Sequence, residues 1–590
     1  MLSQQQTVMA PPGEFAYRTP RLLPFELAQH AGIFFEEKLY TRALDLLFNT
    51  LASGTYASST AIVPLPQHLA LAATLLVHPS TTTRAKSNEE KDAPDVALRL
   101  LRLYSAQINP IESKYKVAFN FTHSNHSRSG RRYHEEHDSR SESELRHSET
   151  RPLNLTLGTT EALWARAEDF WHAVGWAFNC SVLYPERWEY WQIWLRFMCE
   201  VIEDDWDQRE KEYEESKNQP RPEVDPPTPN EPVRRSGRGA LSNVLDDLDI
   251  FRQSLIFQYI SSGARNGNAR RMVRALFADG STTSLNEFRQ VFNKELVSAK
   301  SGEDASKTNK REREVDVDQE LYGDYMTEDE SEDEPMSGVS SSLSRASPPR
   351  DGESTVRRSK RTRRGTRGAS GMTAPEVPEP ETSQAGKGNH HSGVGVAQLG
   401  GLDSLGLRKK LFGILSKVSD RLNKDFVDLH NLYQDFAENV RRQPLPIFQA
   451  FVSPLVLSEL DDEAQTTLCE VLTHNMIESA ARTSEQDRLT DTKLEECFLP
   501  FTAATANVVD NAKFSILLES MTMSLAMRGF IKQTPSLKQA VHEGIARRAH
   551  RTQEDSHRGH AGKNRDALDW SFLLESGERL VFLVDLLPEQ

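Results

Sequence analysis

EALWARAEDFWHAVGWAFNCSVLYPERWEYWQIWLRFMCEVIEDDWDQREKEYEE, residues 161–215, is the stretch that decides the fold class. Seven of the eight tryptophans of the chain lie in it, from Trp164 to Trp206. Pro185 divides it, because proline starts a helix far more easily than it continues one. The reading is therefore two long helices. In the first, Trp164 and Trp171 stand two turns apart, and Trp171, Val174 and Phe178 continue the stripe. In the second, Trp188, Trp191, Leu195, Met198 and Ile202 recur at intervals of three and four, the spacing of one helical face. An aromatic side chain buries ~150–250 Å². Trp164, Trp171, Trp188 and Trp191 are accordingly predicted as structural core, in preference to exposed hot spots for a partner.

The pattern repeats on either side. Residues 21–118 read as an N-terminal helical block. FELAQHAGIFFEEKLYTRALDLLFNTLASG (25–54) gives two helices, with Ala43, Leu47 and Leu51 on one face and Gly54 as a left-handed stop. Further helices are predicted over Gln67–His78 and Ala93–Gln107. FFEEKLYTRALDLL resembles one helix pair of a tetratricopeptide repeat, through Tyr40 and Ala43. There is no second copy near a period of ~34 residues, so a plain helical hairpin is the expectation. Residues 241–296 form another helical block, with Asp279-Gly280 as a stop and a capping box predicted from Ser284 to Glu287. Residues 402–549 return to short helices, one carrying Leu407, Leu411, Leu415 and Val418 on a face. Residues 566–590 read as a last docking helix or a partner-binding motif using Trp570, Leu573 and Leu574. No stretch shows strand alternation. The fold class is all-α: an irregular helical bundle or an α-solenoid-like array, interrupted by long disordered linkers.

The intervening segments are polar and predicted to be disordered, since they hold too little apolar surface to offset their ordering entropy. They are the tail 1–20, the loop 119–158, the proline-rich linker 216–240, the long linker 297–401 and the break 550–565. The loop contains His134-Glu135-Glu136-His137, which lacks the one-turn spacing of the HExxH zinc motif, so it reads as a solvated linker. The long linker carries two opposite clusters. Between Glu312 and Glu334 stand twelve acids and one base, interleaved with Tyr322 and Tyr325. Thr327 and Ser331 each have an acid three residues downstream, and Ser347 precedes Pro348, so all three are candidate phosphorylation sites. The second cluster is Arg357, Arg358, Lys360, Arg361, Arg363, Arg364 and Arg367, seven bases with no acid. It is similar to a nuclear import signal, and its rival reading is contact with nucleic-acid phosphates.

Bulk properties narrow the function. The net charge of -15 over 590 residues argues against wholesale coating of nucleic acid while leaving a local basic contact open. Cys180, Cys199, Cys469 and Cys497 form no CxxC pair, which excludes a paired-cysteine zinc site and points to free thiols in a reducing compartment. No secretory leader and no membrane-length apolar run is present, so the expectation is a soluble intracellular protein. Phosphate loops, dinucleotide fingerprints, nucleophile elbows and kinase signatures are absent, which lowers the expectation of an enzyme. No cofactor and no metal ligand is predicted.

The tryptophan block, together with SILLES (515–520) and LPIFQAFVSP (445–454), resembles proteins of filamentous fungi that carry no assigned function. That resemblance implies no activity and lends no residue a role. The expected function is a nuclear, non-enzymatic helical scaffold or adaptor with protein partners. The alternative is a chromatin or nucleic-acid-associated protein acting through residues 357–367.

Overall fold

A computed structural model describes residues 17–54, 60–122, 153–218, 248–261, 268–297, 397–457, 459–481, 488–556 and 563–589. All of these belong to one compact unit, so the helical blocks before and after the long insert share a body. Among the described residues the fold is all-α apart from a two-stranded parallel sheet, β1 (Pro20–Leu22) beside β2 (Ala61–Val63). These strands depart from the expectation of none. They are three residues each, too short for an alternation to register in the sequence.

The N-terminal block contains α1 (Phe25–Glu36), α2 (Tyr40–Ala52), α3 (Pro66–Val77), α4 (Asn88–Gln107) and α5 (Tyr115–Ala118). Helices α1 and α2 form a hairpin, turned by Lys38 at φ 59, and α2 and α3 both pack on α4. Gly54 takes φ 69 just beyond α2, as its position predicts. Helix α4 begins earlier than the predicted Ala93. Ser87 and Glu90 make a reciprocal capping box that starts it and places Pro94 inside it.

The tryptophan block contains α6 (Leu163–Arg166), α7 (Phe170–Leu183) and α8 (Pro185–Asn218). The predicted break at Pro185 is present. The single stripe from Trp164 to Trp171 is not, because the chain extends at Ala167 and Asp169 starts a new helix by accepting the His172 N–H at 2.7 Å. All seven tryptophans of the block are nonetheless buried. Next come α9 (Leu255–Ser261), α10 (Asn268–Leu276) and α11 (Thr282–Glu287). The cap of α11 is Ser281 rather than Ser284, and Glu287 pairs with Arg274 at 2.7 Å instead of closing a box.

After the insert stand α12 (Gly401–Arg421), α13 (Leu429–Arg441), α14 (Leu445–Val452) and α15 (Asp462–Met476). The turn α16 (Asp491–Lys493) runs on into a π-helical turn at Leu494–Phe498. The chain ends in α17 (Val508–Met527), α18 (Pro535–Ser556) and α19 (Lys563–Leu586). Residues 566–586 thus continue a helix that packs along α17. In a solenoid each unit touches only its neighbours. Here α3 packs on α8 and α8 on α12, so the body is an irregular bundle.

Several segment boundaries move: α8 runs on to Asn218 past the predicted linker start, and α18 and α19 cover most of the predicted break 550–565. Arg18, assigned to the tail 1–20, is buried and donates to the Leu51, Ser53 and Thr60 carbonyls, satisfying the end of α2. Phe119, Leu153, Leu155 and Leu157, assigned to the loop 119–158, are buried apolar side chains. Leu399, at the end of the predicted linker 297–401, is buried too.

Close packing supplies a direct test. A Cβ added at Gly175 in α7 would lie 2.3 Å from Cγ of the buried Phe288 ring. Overpacking of this kind costs ~1–3 kcal/mol, against a helix-propensity gain of at most ~1 kcal/mol. Gly175→Ala is expected to lower the thermal midpoint. An unchanged or raised midpoint would show that Phe288 can yield.

Candidate functional site

Two places gather chemistry. The first is the root of the insert. Lys294 takes φ 52, and the turn it makes sends Glu295 into the core. Glu295 Oε1 accepts from Arg187 Nε (3.0 Å), Arg187 Nη2 (2.8 Å) and Trp191 Nε1 (2.7 Å). Its Oε2 accepts from Trp176 Nε1 (3.0 Å) and the Phe292 N–H (3.2 Å). Arg187 also donates to Thr82 Oγ1 at 2.7 Å and to the Val77 carbonyl. This buried ion pair is fully hydrogen-bonded, the condition under which such a pair is tolerated.

The returning chain fastens to α7, the helix that carries Trp176. Gly400 takes φ 82, and a Cβ there would lie 2.3 Å from Ser181 Oγ. Two turns later Arg408 is wholly buried. It donates to Ser404 Oγ (3.1 Å), Ala278 O (2.9 Å) and Leu276 O, with its guanidinium 4.1 Å from the Phe178 ring centroid. Burial pushes this guanidinium down to about 9, opposed by the charge of Asp279. The free carbonyls at the end of α10 carry partial negative charge and stand in for a carboxylate.

The second place is a groove between α18 and α19. Gly544 lets α18 rest on the chain, since a Cβ there would meet the Leu499 carbonyl oxygen at 1.8 Å. One turn on, Arg548 is wholly buried and its Nη1 donates to the Leu499 and Phe501 carbonyls at 3.1 and 3.2 Å. Its Nε and Nη2 have no partner, and burial pushes the guanidinium down to about 9. Arg548 lines a cavity of about 420 Å³ together with Ser515, Ile545, Leu573, Leu574 and Phe582. Ser515 Oγ, also buried, has no partner. Leu574 and Phe582 are largely exposed at the mouth.

Of the residues singled out from sequence, Trp164, Trp171, Trp188 and Trp191 lie in the core, and Trp191 is also a ligand of the Glu295 carboxylate. Leu573 faces the groove floor, Leu574 its mouth, and Trp570 is half-buried. Arg357, Arg358, Lys360, Arg361, Arg363, Arg364 and Arg367 lie outside the described residues, as do Thr327, Ser331, Ser347, His134 and His137. Sequence reasoning missed Arg187, Glu295, Arg408 and Arg548. For Arg548 a signal existed: Gly544 in the middle of a helical run marks a close approach.

Among the described residues the four cysteines are buried and form no disulfide, and no three acidic, histidine or cysteine side chains gather as a metal site. No helix among them is long and apolar enough to cross a membrane. Compared with family models, curated proteins and solved structures, the chain shows no significant match to any.

Proposed function

We propose that the protein is a nuclear, non-enzymatic α-helical scaffold that brings protein partners together. One observation carries this reading. The described chain on either side of residues 298–396 is pinned to one helical hairpin, Glu295 by Trp176 of α7 and by Arg187 and Trp191 of α8, and Gly400 against Ser181 of α7. The described flanks of the segment that carries the acidic and basic clusters are both fixed on the α7–α8 hairpin. The buried ionisable residues Arg187, Glu295 and Arg408 join segments more than a hundred positions apart in the chain. Their hydrogen bonds go to one another, to buried Trp, Ser and Thr side chains and to main chain, which suits a load-carrying body better than a reaction centre.

The basic cluster serves nuclear import in this reading, and Thr327, Ser331 and Ser347 tune the charge of the insert by ~1.5–2 units each when phosphorylated. Neutralising Arg357, Arg358, Lys360, Arg361, Arg363 and Arg364 is expected to move a fluorescent fusion to the cytoplasm. A heterologous import signal should then restore both location and partner recovery. Affinity purification from nuclear extract, with and without nuclease, tests the scaffold itself. A stoichiometric protein partner that survives nuclease supports it. Recovery only of chromatin proteins that vanish with nuclease, with DNA retention falling steeply as salt rises, would replace it by the nucleic-acid reading.

A further inference from the structure

We propose that the groove between α18 and α19 is a binding site for a monocarboxylic acid carried on an unbranched apolar chain, with Arg548 as the carboxylate anchor. The inference does not depend on the scaffold reading. It starts from an imbalance. A guanidinium presents five N–H donors in a rigid fork, and in Arg548 only Nη1 is engaged. Nε and Nη2, the edge that forms a two-point contact with a carboxylate, are buried without a partner. No carboxylate of the described residues offsets the burial of this cation. Buried polar groups left unpaired are rare and call for a partner.

The surroundings specify what that partner is. Ser515 Oγ, likewise unpaired, lies on the same cavity and can give a third hydrogen bond. The remaining walls are Ile545, Leu573, Leu574, Val581 and Phe582, which suit an alkyl chain and offer nothing to a polar body. About 420 Å³ falls in the lower half of the ~300–1,000 Å³ range of small-molecule sites. Gly577 leaves the room, since a Cβ there would sit at an ordinary 3.5 Å from Ile545 Cγ2. Charge limits the head group. Arg548 is the one buried cation on the cavity, and Glu578 stands at the rim and repels a second negative charge. Asp585, also at the rim, is paired with Lys538 at 2.9 Å, and His542 completes the ionisable set there. A single negative charge therefore fits and a dianionic phosphate does not. Nε and Nη2 of Arg548 are inaccessible to solvent, so entry of a carboxylate has to displace the atoms that cover them.

Isothermal titration of the full chain with sodium decanoate, below its micellar range, tests this against decanol and decyl phosphate. One-to-one binding of decanoate is expected, with decanol and decyl phosphate at least about tenfold weaker, the difference a charge-assisted hydrogen-bonded pair makes. Arg548→Met should lose the preference for decanoate over decanol. Gly577→Leu, which fills the groove without touching the cation, should abolish binding of both, with circular dichroism confirming that each variant is folded. Equal binding of decanoate and decanol would overturn the proposal, as would binding that ignores both substitutions, or none at all. Preference for decyl phosphate would overturn the single-charge argument. Displacement of decanoate by an acidic peptide that binds more tightly would reassign the groove to a protein partner.

Discussion

Glu295→Ala is expected to destabilise the protein by ~3–5 kcal/mol, the cost of leaving a buried cation without its counter-ion. Glu295 and Arg187 are almost wholly inaccessible to solvent, so water cannot take over. The substitution strands more than the cation. Trp191 Nε1, Trp176 Nε1 and the Phe292 N–H all lose their acceptor at once. Each buried donor left unpaired adds ~1–3 kcal/mol where the site cannot relax. For a body of this size the thermal midpoint should fall by roughly 5 °C. The double variant Arg187→Met, Glu295→Leu separates charge from packing. Because the ion pair carries its own desolvation cost, removing both members should hurt much less than removing Glu295 alone. Thermal unfolding followed by circular dichroism reads both. A double variant as unstable as Glu295→Ala would mean that the indole and main-chain bonds, not the charge balance, hold the joint. A midpoint unchanged in Glu295→Ala would remove the joint from the account altogether.

That joint also marks where sequence reasoning stops. Helix type and the place of the core were legible around Trp164–Trp206, because apolar spacing at three and four is a local signal. The break at Pro185 and the stop at Gly54 were legible for the same reason: each acts on its own few residues. Glu295 gave no such signal. It reads as the charged end of a helix, and its partner Arg187 stands 108 positions earlier in a run that looks like a solvated face. Only the left-handed turn at Lys294 reveals that the carboxylate points inward. Asp169 and Ser87 show a nearer miss, since each cap is a local signal at its own position, Asp169 inside the stripe from Trp164 to Trp171 and Ser87 ahead of the predicted start at Ala93. In the groove, Leu573 and Leu574 were legible as adjacent apolar residues, whereas the cation that gives the site its chemistry lies on another helix. The clusters that motivated nuclear import fall wholly outside the described residues.

Acidification from pH 7 to pH 5 is expected to cost about 2 kcal/mol for each of His68 and His78, roughly 4 kcal/mol together. Both imidazoles are buried on or just beyond α3. Burial pushes His68 down to about 4, and neither ring nitrogen has a partner. His78 is pushed down to about 3, first by burial and then by Arg84, Arg187 and Arg166. Its geometry agrees, since Nδ1 accepts the Ser80 N–H at 3.2 Å and so carries no proton. Between the ordinary histidine value of 6.5 and these depressed values, the unfolded chain binds a proton at each site that the folded chain does not. Stability therefore rises with pH through that window and is lost as pH falls through it. His172, lowered by burial and accepting the Glu168 N–H at 3.2 Å, adds in the same direction. The charge of the whole chain pulls the other way. At -15 the chain repels itself near neutrality, and protonation relieves that repulsion. A loss of stability on mild acidification thus isolates the buried imidazoles from the general charge effect. Urea midpoints at pH 7, 6 and 5 measure it, and His68→Leu should flatten the profile by about half. Midpoints that hold or rise toward pH 5 in the unsubstituted protein would mean that these histidines gain a proton without unfolding, and that the packing around α3 opens to water far more readily than its burial implies.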